Sequence, residues 1–214
     1  YIYQDPDIQQ NGLINLERLK ALAANQQQLK TYVEQAYRKV AEDEGLQQTH
    51  APLLESNVVV MFLRSLLLYD GTHGALRVLG LEHPAYLQLP LPEGSPADSV
   101  EIGGIIDRLD IVEEDGRSLL RIVDYKTGGK TETASTLDDL FEKRGYEHKH
   151  YMMQTFIYAL IMHEQPPTQT ILPIAPTLFF VNHARNPSFT PYLKMAGEPI
   201  TDFAEIASDF RERL

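Results

Sequence analysis

The chain has 214 residues, of which 43% are hydrophobic, and this length suits one elaborated domain or two small ones. It contains no cysteine, which excludes a disulfide scaffold, a zinc–thiolate site and a cysteine-ligated iron–sulfur cluster, and which fits a reducing compartment. The formal net charge of −11 argues against a protein that coats nucleic acid by electrostatics alone, but it is compatible with an acidic site that holds cations.

Helical patterns dominate the first third of the chain. Residues 13–45 combine apolar residues at helical spacing with good helix formers, and Gly45 is a suitable stop. Residues 57–69 predict a second helix. Because its apolar run is short and contains Arg64, we predict no membrane-spanning segment, and nothing resembles a signal peptide.

Extended patterns follow in the middle of the chain. The stretch AYLQLPL predicts a strand at residues 85–91, and PEGSPADS predicts a loop at 92–99. Two more strands are predicted at 101–113 and 118–126. They flank Asp115-Gly116, a dipeptide that strongly favours a tight hairpin turn.

The last part of the chain alternates helix, strand and helix. HKHYMMQTFIYALIMH predicts a helix at 148–163, and PTLFFVNHA predicts a buried strand at 176–184. A final helix is predicted at 201–214, with Thr201 as its N-cap. This order of elements indicates a mixed α/β domain built around one sheet.

The predicted hairpin has a definite register if its turn has two residues. Glu114 then lies opposite Arg117, and the same register places Asp107 opposite Asp124. Side chains alternate along a strand, so an apolar set shares the face of these two aspartates: Ile105, Leu109, Ile111, Leu120 and Ile122.

Lys126 points to that same inward face, because it lies two residues beyond Asp124. On the other, outer face the register places Asp110 opposite Arg121. An opposite-charge pair of this kind is an ordinary stabilising contact, so we interpret Asp110 as structural.

Two opposed carboxylates on an inward face are unfavourable unless something compensates them. One of them could remain protonated, or a cation could lie between them. Opposed Cβ atoms are about 5 Å apart, which suits a shared divalent ion such as Mg²⁺. The alternative is a buried ion cluster in which Lys126 neutralises the acids, and spacing alone leaves both interpretations open.

Three motifs in order resemble a known family. GGIIDRLD, IVDYKTG and QTFIYAL, on a strand, a strand and a helix, resemble the motifs of the PD-(D/E)XK nucleases, and within them the RecB-type branch. The resemblance covers roughly residues 80 to 185. It implies a restriction-endonuclease-like mixed sheet, with a core of helix, three strands, helix and strand, flanked by helices and preceded by an extra helical segment.

This resemblance also implies a division of the chain and a set of site residues. Residues 1–75 would be a helical elaboration packed on a nuclease core at 76–214. Asp107 and Asp124 would bind a metal ion, with the backbone carbonyl of Tyr125 as a further ligand. The catalytic set would be Asp107, Asp124, Lys126, Gln154 and Tyr158.

Other residues are secondary candidates for contacts with DNA phosphates: Arg108, Thr127, Lys130 and His150. Gln154 and Tyr158 are four residues apart and share a helix face, and without the resemblance they would be interpreted as ordinary helix-face residues. His150 extends the same stripe, and a plain surface histidine is the alternative interpretation for it.

The activity implied by the resemblance is hydrolysis of DNA phosphodiester bonds by an exonuclease that uses Mg²⁺, with Mn²⁺ able to substitute. The setting would be DNA repair and recombination in the cytoplasm, with a helicase module in the same or an associated chain. The alternatives are an inactive relative that binds DNA or a helicase partner, and an unrelated α/β domain with a buried ion cluster. Many members of the branch carry an earlier helix with a Gly-x-x-x-His motif. None is found, so we expect the chain to start after it.

Overall fold

The structure is a computed structural model that describes residues 2–45, 53–129, 131–142, 149–184, 186 and 188–214. The chain divides into two compact units. The first comprises Tyr1–Val78 and Val181–Phe189, and the second comprises Leu79–Phe180 and Thr190–Leu214.

The helices of the described residues follow a short 3₁₀ turn at Ile2–Gln4. In chain order they are α1 (Leu16–Ala24), α2 (Gln26–Asp43), α3 (Leu53–Asp70), α4 (Asp138–Phe141), α5 (His150–Glu164) and α6 (Ala204–Arg213). No helix in this part of the chain combines the length and apolarity that crossing a bilayer requires.

The strands of the described residues include one long hairpin and several short pieces. In chain order they are β1 (Gln9–Gln10), β2 (Leu13–Ile14), β3 (Ala75–Pro90), β4 (Ser99–Glu114), β5 (Arg117–Lys126), β6 (Thr133–Ala134), β7 (Ile174–Phe180), β8 (Lys194–Met195) and β9 (Glu198–Pro199). The predicted strand at 85–91 is therefore the end of a much longer one.

In the first unit, the single helix predicted over residues 13–45 is two helices. Asn25 separates them, because its backbone N–H donates to the carbonyl of Leu22 and its side chain accepts from the Gln28 N–H at 3.0 Å. It thus ends α1 and caps α2. Helix α3 packs against both, and Leu19, Leu29 and Leu67 of these helices are fully buried.

In the second unit, strands β3, β4, β5 and β7 lie side by side in that order. β4 and β5 are antiparallel, whereas β5 and β7 are parallel. A parallel pair needs a long crossover connection, which here contains α5. This helix packs on β4, β5 and β7, and all residues of β7 are buried.

The predicted hairpin register is confirmed. Glu114 pairs with Arg117, and the ladder continues without a bulge to Arg108 opposite Val123. Asp115 and Gly116 have φ values of +50° and +73°, the positive values that a tight turn of the primed type requires.

Two predictions about the faces of this hairpin are wrong. Ile105, assigned to the buried face, is 49% exposed. The Asp110–Arg121 pair, assigned to the outer face, is buried, because that face of the sheet is covered too. Arg121 donates to both carboxylate oxygens of Asp110 at 2.9 Å, and the Arg108 Nε lies 2.8 Å from Asp110 Oδ2.

The end of the chain also differs from the prediction. The buried strand ends at Phe180, and residues 181–184 form turns. α6 begins at Ala204, with Phe203 in the cap position, so Thr201 is not its N-cap. The Asp202 carboxylate instead accepts the Ala204 N–H at 3.0 Å, which gives the first turn a polar acceptor.

Candidate active site

The two predicted aspartates lie where β4 and β5 part. Arg108 and Val123 form the last pair of the ladder, and Asp107 and Asp124 are the next residues along the two strands. The Asp107 carboxylate accepts the backbone N–H of Tyr125 at 2.7 Å. The Asp107 side chain on β4 thus makes a hydrogen bond to β5 beyond the last backbone pair of the two strands. This bond fixes the peptide group that joins Asp124 to Tyr125.

Asp124 is a buried carboxylate paired with a lysine. It is 3% exposed, and its Oδ2 lies 2.5 Å from the Lys126 Nζ. Burial raises the pKa of Asp124 above its ordinary value of 3.8, the Lys126 ammonium opposes this shift, and the charge of Asp107 adds to it.

The raised pKa of Asp124 predicts how stability responds to pH without divalent cations. The folded state holds this proton more tightly than the unfolded state, so the contribution of Asp124 is fully present below 3.8 and is lost as pH rises through the higher folded-state pKa. We expect the wild-type chain to lose more stability across this window than Asp124→Asn. Thermal melts of both proteins at a series of pH values measure the difference, and parallel curves would contradict it.

The residues at this position fit a hard divalent cation. One lysine beside two neighbouring carboxylates leaves an excess of negative charge, and Mg²⁺ binds through one or two carboxylates together with water and phosphate oxygens. In the part of the chain that the structure describes, no group of three or more His, Asp or Glu side chains could hold a metal ion. Asp107, Asp124 and the Tyr125 carbonyl remain the predicted protein ligands.

Lys126 has a second contact that the sequence did not indicate. Its Nζ lies 4.4 Å from the centre of the Tyr151 ring, which belongs to the first turn of α5. Gly129, with φ +98°, passes beside the same ring, since a Cβ there would lie 3.4 Å from Tyr151 Cε2. The end of β5 and the start of α5 therefore meet around the lysine.

Glu132, in the connection between β5 and α5, contacts the start of α5, and the sequence did not indicate this either. Its Oε2 accepts the Met152 N–H at 2.8 Å, and its Oε1 lies 3.7 Å from the His150 Nδ1. A carboxylate at the N-terminus of a helix satisfies a free N–H group and interacts favourably with the helix dipole. Because Glu132 is remote in sequence from α5, no local capping pattern could reveal it.

The predicted pair on α5 lies against β4. The Gln154 side-chain amide donates to the Tyr158 hydroxyl at 3.2 Å, and Tyr158 is 4% exposed. A Cβ on Gly104 would lie 2.7 Å from that hydroxyl, so the glycine of the first motif makes room for it. Gln154 and Tyr158 line a cavity of about 270 Å³. Its other lining residues are Gly103, His150, Met153 and Ile157.

The secondary candidates divide into three cases. Arg108 is fully buried and paired with Asp110, so it does not lie at the surface where a phosphate contact would form. The predicted contact of Arg108 with a DNA phosphate is therefore wrong. Thr127 is exposed directly after β5, and the His150 side chain is 61% exposed. Lys130 lies outside the described residues.

Comparisons with known proteins show what this chain is similar to. A model of the PD-(D/E)XK nuclease superfamily matches residues 9–214. A segment of 58 residues is 43% identical to one of the subunits of the ATP-dependent helicase/deoxyribonuclease of Desulforudis audaxviator (strain MP104C). That segment is 27% of this chain but 4% of the relative, so the chain matches only a small part of it.

Proposed function

Because the chain belongs to the PD-(D/E)XK nuclease superfamily, we propose that it hydrolyses phosphodiester bonds in DNA with Mg²⁺, or with Mn²⁺ in its place. The observation that carries this proposal is the arrangement of Asp107, Asp124 and Lys126 at the parting of β4 and β5. Two interacting carboxylates beside one ammonium combine a site for a hard cation with a positive group next to it.

The cation held by Asp107, Asp124 and the Tyr125 carbonyl would polarise a phosphoryl oxygen and acidify a water molecule. Asp107 also orients its own site, because its bond to the Tyr125 N–H fixes the peptide that follows Asp124. The Lys126 Nζ is paired with a carboxylate at 2.5 Å, which suits an ammonium that stabilises negative charge developing on the phosphate.

The substrate strand would pass along α5. Gln154 and Tyr158 line the cavity beside β4, and their amide and hydroxyl groups are suited to hydrogen bonds with a nucleotide. Thr127 and His150 are exposed near the same end of the unit and are our remaining candidates for phosphate contacts. We expect products with a 5′-phosphate and a 3′-hydroxyl, as the family resemblance implies.

The biological setting is proposed from the relative's name. That protein belongs to a helicase/deoxyribonuclease, so we propose that this chain acts as an exonuclease together with a helicase module, in the same or an associated chain. We propose DNA repair and recombination as the processes in which it acts, as the family resemblance implies.

Metal removal tests the activity directly. We expect the 214-residue chain to degrade end-labelled linear DNA with Mg²⁺, to lose this activity with EDTA and to regain it with Mn²⁺. Mass spectrometry of the products should find 5′-phosphate ends. Degradation that persists in EDTA would contradict the mechanism, and Mg²⁺-dependent DNA binding without turnover would identify an inactive relative.

A further inference from the structure

We propose that Tyr151 is a positioning residue for Lys126, and that the face of its ring holds the ammonium where the substrate phosphate will lie. This inference rests on the proposed function, because it concerns the group that would stabilise the phosphate. It adds a residue outside the three motifs, on the turn of α5 that precedes Gln154.

The distance supports an attractive contact. The Lys126 Nζ lies 4.4 Å from the Tyr151 ring centre, within the range of about 6 Å over which a cation is attracted to the face of an aromatic ring. The Lys126 side chain is 17% exposed, so water screens the contact only in part. Such contacts are strongest where both groups are largely removed from water.

Tyr151 is itself held by its surroundings. Its ring lies against the backbone of Gly129 and against the His150 ring, whose centre is 4.0 Å away. Its carbonyl accepts from the Thr155 hydroxyl at 2.8 Å, and the bond from the Met152 N–H to Glu132 fixes the turn that carries it. A ring fixed in this way can define the position of a flexible lysine.

The contact with the ring matters because the attraction of Asp124 alone would not hold Lys126 in place once a metal ion is bound. The Asp124 carboxylate would also be a ligand of the divalent cation. The Lys126 ammonium and the metal ion would then share the single negative charge of Asp124. Lys126 would lose part of its attraction to Asp124 at the moment of catalysis. A neutral ring attracts the ammonium without binding the metal, so it keeps the side chain in place.

The ring face, and not the size of the side chain or its hydroxyl, is the functional feature of this proposal. Tyr151→Phe keeps the ring, whereas Tyr151→Leu and Tyr151→Met keep apolar volume without it. Tyr86→Leu is the matched control, because Tyr86 is 46% exposed on β3, a strand that carries none of the predicted site residues. Thermal melts establish which variants fold.

The first measurement needs neither metal nor activity. In protein with ¹³C-labelled lysine, the Lys126 Cε–H resonance, assigned with Lys126→Met, should be shifted upfield by the ring current of Tyr151. We expect this shift to persist in Tyr151→Phe and to be lost in Tyr151→Leu and Tyr151→Met. An unchanged resonance in the folded Leu or Met variant would overturn the proposed placement.

The second measurement is cleavage of DNA with Mg²⁺. Loss of the ring should lower kcat by about tenfold with little change in KM, while Tyr151→Phe and Tyr86→Leu remain near wild type. Equal losses in the Phe and Leu variants would assign the effect to the hydroxyl and overturn the proposal. If the wild-type chain does not cleave DNA, the proposed function fails, while the resonance measurement still decides whether the ring holds Lys126.

Discussion

Replacing Lys126 with methionine should slow DNA cleavage by about a hundredfold or more, while Mg²⁺ binding is retained. The ammonium is a cation that the chain itself places beside the acidic pair, and loss of one such electrostatic group costs roughly 10²–10³ in rate. Methionine keeps much of the apolar stem. Single-turnover cleavage and Mg²⁺-dependent thermal shifts measure the two properties separately.

The same substitution leaves the Asp124 carboxylate buried without its ammonium. We expect the free energy of unfolding to fall by roughly 1–3 kcal/mol, and Mg²⁺ to restore part of it. Lys20→Met is the matched control, since Lys20 pairs with Glu17 at 3.0 Å on the surface, and it should change neither property. Cleavage at the wild-type rate by Lys126→Met would remove Lys126 from the mechanism.

Replacing Asp124 with asparagine should have the larger effect on the metal. Asparagine has nearly the same shape, but the site then retains a single carboxylate, and its amide cannot supply the lost charge. We expect the Mg²⁺-dependent rise in melting temperature to disappear and cleavage to fall by about a thousandfold or more. Calorimetric titration with Mg²⁺ or Mn²⁺ checks the binding directly.

Asp7→Asn provides the comparison for this substitution. The Asp7 side chain is 87% exposed and lies 3.5 Å from Arg18, so its replacement removes one carboxylate of ordinary surface character. This variant should bind Mg²⁺ and cleave DNA like the wild type. If Asp124→Asn keeps the calorimetric signal, the buried ion cluster considered from the sequence becomes the better interpretation of Asp107, Asp124 and Lys126.

Local chemistry explains why the fold was predictable. The family and the restriction-endonuclease-like α/β fold inferred from three motifs are confirmed. The hairpin was predicted at the level of individual pairs, because Asp115-Gly116 permits one tight turn and every later pair follows from it. The break at Asn25 could also have been found, since asparagine is among the best helix caps.

Tertiary packing explains the misses. Period-two alternation cannot tell whether one or both faces of a sheet are covered, so the Asp110–Arg121 pair was assigned to an outer face although it is buried. The contact of Tyr151 with Lys126 and the bond from Met152 to Glu132 join segments that are remote in sequence. Only the folded chain brings these groups together. The metal-binding and catalytic roles assigned to the site residues stay predictions.

The buried cluster of Arg108, Asp110 and Arg121 has a consequence for the accuracy of assembly. A slip of the hairpin by two residues would return every side chain to its own face, so the apolar residues alone would tolerate it. The same slip would carry Asp110 away from Arg121 and leave buried charges uncompensated, at a cost of several kcal/mol. The cluster thus fixes the register of the hairpin from one face of the sheet. That register in turn sets the positions of Asp107 and Asp124 on the opposite face.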